Sequence, residues 1–192
     1  MATSKIILWN EAAGLIGGNA KGLILSADEE GSLADHCRAF HREAVDRSIT
    51  FLRPVEATKF VSITATSDTV AKSDWSYAFS LPADYLDLVK YTDEDDRTIN
   101  TPFEIKGAYI LSDTEDCYIE YIHKMDYEDT TAMSPFLKAL IAANLAVMIA
   151  PFIKPAMLQI AEAKLARMEQ RAGDMAQRHI YEEAVTSSAD IT

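Results

Sequence analysis

The hydrophobic period changes twice along the chain, and that limits the folds open to it. Up to Pro54 the apolar residues recur at three- and four-residue steps, as on one face of a helix. Between residues 60 and 127 they alternate, as on half-buried strands. From Ser134 onward the helical step returns. This order predicts an α+β fold, mainly α: a helical bundle with one antiparallel β-sheet inserted between the second and third long helices.

The first helix is expected over 4–16, where Leu8, Ala12, Leu15 and Ile16 form one stripe. Gly17 and Gly18 stop it, because glycine takes the left-handed conformation at a helix end without a Cβ clash. Lys21 would suit the negative helix end. A second helix follows Ser32, with Leu33, Cys37, Phe40 and Ala44 inward, and ends before Pro54. Strand-like runs occur in FVSITATS and WSYAFSLP and over 86–91, 103–106, 109–111 and 117–123. The segments 93–96, 106–107 and 112–116 read as turns. Ser134 and Pro135 then open a helix with an N-cap and a first-turn proline. Phe136, Leu140, Ala143, Val147 and Ala150 continue it, and Pro151 ends or kinks it. The last helix carries Leu158, Ala161, Leu165, Met168, Ala172 and Met175 at alternating steps of three and four, a heptad seam. The domain expectation is one domain: helices over 1–59, sheet over 60–130, helices over 131–184 and a mobile tail over 185–192. The apolar segment 139–153 is interrupted by Asn144 and Pro151 and reads as a buried helix rather than a membrane span.

Chemistry is sparse. GLIGGNAKGLILS has two glycines, Gly17 and Gly22, at P-loop separation, but Lys21 precedes the second, and Leu23 and Ile24 stand where Lys and Ser or Thr belong. It reads as a helix end and a turn. Cys37 and His41 share a helix face beside His36, yet zinc needs three or four ligands, and His123 and Cys117 could add to them only through the fold. Cys37 also lies on the apolar stripe, where inert cysteines sit. Two cysteines make no disulfide framework. The acids Asp93, Glu94, Asp95 and Asp96 lack the alternation and glycine of a calcium loop and read as a solvated hairpin tip. His179 extends the heptad seam, and Trp9 and Trp75 read as core or interface anchors. This inventory points to no catalytic set, no cofactor and no metal. A net charge of −12 argues against phosphate neutralisation over the whole surface, and so against a DNA-binding regulator.

Several segments, taken in order, resemble the head–tail adaptor proteins of short-tailed phages, the tail tubular protein A family. WNEAAGLIG resembles the family's N-E-A-L-x-x-I-G opening. FHREAVDRSITFLRP resembles the helix that follows, and YAFSLPADYLDLVKY the L-P-x-D-Y-L that opens the inserted sheet. The run from FEIKGAYI through the acidic loop to SPFLKAL resembles the strands and helix after it. The likeness covers nearly the whole chain, and the order of the motifs carries it. It implies a non-enzymatic ring, typically of twelve copies, below the capsid portal. Such a ring prolongs the channel for genomic DNA without reading its sequence and presents a platform to the next tail protein. It implies a place in the virion neck, reached from the host cytoplasm during assembly, and no membrane. On this reading His179, Tyr181 and the tail reach a neighbouring subunit or the portal, and the acids 93–96 face the channel or the next ring. The rivals are an assembly factor outside the virion or a small interaction module, and a Cys37–His41 enzyme.

Overall fold

The computed structural model of the protein describes residues 4–17, 22–66, 74–92 and 102–189, with 175–189 as helix backbone alone. The chain divides into two compact units, Met1–Leu52 with Asp126–Thr192, and Arg53–Met125.

The first unit is helical. Its elements are α1 (Ser4–Leu15), α2 (Ser32–Leu52), α3 (Pro135–Ile153) and α4 (Leu158–Ala189). Helix α3 starts where its cap dictates: Ser134 Oγ accepts from the Leu137 amide at 3.3 Å, and Pro135 follows. It packs against α1, α2 and α4 and is apolar on all sides. By length and composition α3 could cross a membrane, but ten of its residues are buried within this unit. Helix α1 buries more than the expected stripe, adding Ile6, Trp9 and Ala13 to Leu8, Ala12 and Ile16. It stops at Gly17, whose φ of 65° only glycine adopts freely. A Cβ at Gly17 would come within 3.2 Å of Lys154 Nζ. Lys154 therefore stands at the helix end that Lys21 was expected to serve, and Lys21 lies outside the described residues. The seam of α4 is inward through Ala172. Ala161, Leu165 and Ala172 are buried, and Leu165 packs with Leu140 and Ala143, flanked by Val147 and Met168. The helix continues to Ala189, past the residue where a tail was expected to begin.

The second unit is β-structure. Its strands are β1 (Thr58–Ser62), β2 (Tyr77–Ser80), β3 (Tyr85–Thr92), β4 (Glu104–Lys106), β5 (Tyr109–Ser112) and β6 (Tyr118–His123). They form two antiparallel three-stranded sheets, ordered β1-β6-β3 and β2-β5-β4. Tyr121 of β6 lies opposite Lys59 on one side and Leu88 on the other. The β4–β5 hairpin turns at Gly107, φ 62°, the sign that its first turn residue requires. Phe79 and Ile110 from one sheet meet Tyr91, Ile119 and Tyr121 from the other in a shared core with Cys117.

This corrects the expected architecture of a helical bundle carrying one inserted sheet. The strands that follow α2 and precede α3 and α4 make two sheets with a core of their own. Alternation in a sequence reports which residues face inward. It does not report which strand pairs with which, so one sheet and two leave the same pattern.

Candidate interaction surface

The cysteine and histidine group does not assemble. Cys37 is fully buried, and burial pushes its thiol up to about 12. A thiol with that pKa supplies almost no nucleophilic thiolate at neutral pH. His41 is also inward. Its Nε2 donates to the Tyr127 carbonyl at 2.8 Å, so the neutral ring presents Nδ1 as an acceptor. Burial lowers the His41 pKa, chiefly against the pull of the Tyr127 carbonyl. His36 turns the other way and stacks on Phe152, ring centroids 4.7 Å apart. Cys117, likewise raised to about 12 by burial, and His123 belong to the sheet unit. Among the described residues no three His, Cys, Asp or Glu side chains are grouped as a metal ion needs.

His41 is instead one of several groups that fasten residues 127–128 to the helices. Tyr127 donates its hydroxyl to Asp46 Oδ1 at 2.7 Å and lies under the Arg42 guanidinium, 4.6 Å from its ring centroid. Burial, then the Asp46 carboxylate, pushes the Tyr127 hydroxyl up to about 12, so it stays a donor. Glu128 pairs with Lys5 of α1. A second clasp lies near the middle of α1. Asn10 accepts from the Ile24 amide at 2.8 Å and donates to the Ile24 carbonyl at 2.9 Å, holding an extended segment. Ile24 is thereby buried while Leu23 and Leu25 on either side are exposed.

Beside these fastenings the helical unit has a groove of about 800 Å³. One wall is the face of α2 from Ala39 to Phe51, carrying Arg42, Glu43, Asp46 and Arg47, and Glu169 of α4 lines the other side. Phe51, 48% exposed, gives it an apolar end. The groove lies close to Ala172, a buried residue of the α4 seam three positions after Glu169. Chemically it offers both signs of charge and one aromatic face. That suits the docking of a polypeptide better than the enclosure of a small substrate.

Among the described residues, none singled out from the sequence as a candidate site lines this groove. Asp93, Glu94, Asp95 and Asp96 lie outside the described residues, as do the side chains of His179 and Tyr181. Sequence reasoning missed the groove because R-E-x-x-D-R on α2 reads as a solvated face. Phe51, an aromatic outside the inferred stripe, was the available signal. No protein-family model matches the chain, and none of the curated proteins compared with it is similar.

Proposed function

We propose that the protein is a structural component of a virion, a head-to-tail adaptor. Copies form a ring beneath the portal, extend the DNA channel and carry the next tail protein. The order of family-like segments along the chain supports this reading. The observation that carries it is the length of α4. It has 32 residues against 19 in α3, the helix it packs on. At a rise of 1.5 Å per residue the difference is about 20 Å of helix that α3 cannot accompany. A helix longer than the one it packs on is suited to reach another chain. The net charge of −12 fits a passage that repels phosphates, so that DNA slides through unheld.

The portal is one partner, a ring of identical copies the second, the next tail protein the third. Electron microscopy of the protein mixed with its portal tests this. The expected result is an added ring below the portal, and absence of any association refutes the reading. Deleting 181–192 is expected to weaken portal attachment, and unchanged attachment would remove the tail from that role.

A further inference from the structure

Between α1 and α2 the segment 22–30 is held by side chains from both helices. Asn10 of α1 takes the amide and the carbonyl of Ile24. Glu29 accepts from the Leu25 amide at 2.8 Å. Arg38 of α2 donates to the Ala27 carbonyl at 2.7 and 3.1 Å and to the Glu29 carbonyl at 3.1 Å. What this scaffold presents is apolar. Ile24 is buried, while Leu23 and Leu25 are 59% and 77% exposed. Alternate residues of an extended segment share one side, about 7 Å apart. We infer that Leu23 and Leu25 form a docking ridge that enters an apolar pocket rimmed by lysine or arginine on a partner protein. That partner is the portal, an identity that rests on the adaptor reading.

Three observations carry it. First, the ridge is set before any partner arrives. The side chains of Asn10, Glu29 and Arg38 fix its backbone, so docking costs little further chain entropy. Second, the backbone is already spent, which decides how a partner can engage it. Asn10 takes the hydrogen-bonding groups of Ile24 on one edge, and Glu29 takes the Leu25 amide on the other. Addition of a partner strand needs those groups. Recognition therefore goes through the two leucine side chains. Third, the rim is acidic. Asp28 and Glu30 are exposed just beyond the ridge. The nearby Arg38 spends its charge on Asp35, 2.7 Å away, and on the two carbonyls. Opposite charge on the partner guides encounter and orientation. A second copy of this chain, at net charge −12, meets such a rim with the wrong sign on average.

Sedimentation velocity of the full chain mixed with its portal, at low and at high salt, tests this. Leu23→Ser combined with Leu25→Ser should raise the Kd for the portal by about tenfold or more at both salts. Asp28→Lys combined with Glu30→Lys should weaken binding several-fold at low salt and remove its salt dependence. All four positions are exposed, so the urea midpoint at Trp9 should stay where it is in the intact chain. If the leucine variant binds the portal as tightly as the intact chain does, the inference is overturned and the adaptor reading stands. Tighter binding after charge reversal overturns the basic rim and the partner stated for it. A leucine variant that loses self-association but keeps its portal affinity also overturns the inference, since the ridge then serves a second copy. Failure of the intact chain to bind the portal overturns this inference and the adaptor reading together.

Discussion

In the helical unit three helices lean on a fourth, and α3 alone gives ten buried residues to the core. In the sheet unit no strand gives more than three, and the core is shared between two small sheets. The polar groups differ in the same way. The helical unit has a buried polar link in its middle: Asn144 of α3 donates to Ser48 of α2 at 2.9 Å, and Ser48 donates to Ala44. The sheet unit is tied at its margin by hydroxyls and carboxylates, such as Tyr91 with Thr114 and Tyr121 with Asp84 and Lys59. A core concentrated in one helix should fail as a whole. A core divided among short strands should fail where its few aromatics are cut.

The largest expected effects test that contrast. Phe79→Ala opens a cavity in the sheet core and should cost about 3–5 kcal/mol, and Leu140→Ala in α3 about 2–5 kcal/mol. Fluorotryptophan labelling gives one resonance from Trp9 in the helical unit and one from Trp75 in the sheet unit. Urea titration should show Leu140→Ala lowering the midpoint at Trp9 and Phe79→Ala lowering it at Trp75. If each substitution lowers both midpoints equally, the units unfold together and the contrast has no energetic meaning.

Much of this concentration was legible in the sequence, for local reasons. Ser134 and Pro135 announce the start of α3, and a mostly apolar run follows because ten residues of that helix are buried. The heptad steps of α4 hold through Ala172 because one face meets α3. What was not legible depends on distant partners. The inner stripe of α2 was expected at Leu33, Cys37, Phe40 and Ala44, yet Ala34, Cys37, His41, Ala44, Val45, Ser48 and Ile49 are the buried positions. Hydropathy prefers Phe40 to His41, but His41 finds a carbonyl partner 86 residues away, which no local pattern can announce. The groove was hidden for a related reason. Charged residues on a helix look alike whether they face water or a docking partner.

The next effect is smaller and depends on pH. His41 is neutral and buried in the fold, with Lys5 of α1 and Glu128 the nearest charges on the elements around it and Trp9 packed at its edge. Its pKa lies below the ordinary 6.5, mainly through burial. The unfolded chain therefore binds the proton first. The stabilisation is complete above pH 6.5 and is lost as pH falls from there to the lowered folded value. For one proton the slope cannot exceed about 1.4 kcal/mol per pH unit. Urea midpoints at the Trp9 resonance should fall over this window, and His41→Gln, whose amide can still donate to Tyr127, should flatten that fall. The Trp75 midpoint should not move over the same range. A fall at Trp75 alone would assign the titration to the wrong unit.

The smallest effect belongs to the sheet unit and lies at lower pH. Asp84 accepts from Lys59 Nζ at 2.6 Å and from the Tyr121 hydroxyl at 2.9 Å. Lys59 is the main cause that holds its carboxyl below the ordinary 3.8, and Tyr121 adds to it. Burial, reinforced by Asp84, pushes Tyr121 up to about 12, so its hydroxyl remains a donor at neutral pH and below. A carboxylate with a depressed folded pKa stabilises the fold above pH 3.8, and that contribution disappears as pH falls through the folded value. Tyr121→Phe removes one of the two donors and should cost about 1 kcal/mol at neutral pH, as a single hydrogen bond does. The cost should vanish once Asp84 is protonated, because the bond then has less charge to accept it. Residual acid sensitivity should persist in Tyr121→Phe, held by Lys59, and should disappear in Asp84→Asn. The reading is the Trp75 midpoint between neutral pH and pH 3. If Tyr121→Phe is as costly at pH 3 as at neutral pH, the hydroxyl acts through packing rather than through Asp84. The margin of the sheet unit would then be held by apolar fit, while the middle of the helical unit keeps its polar link between Asn144 and Ser48.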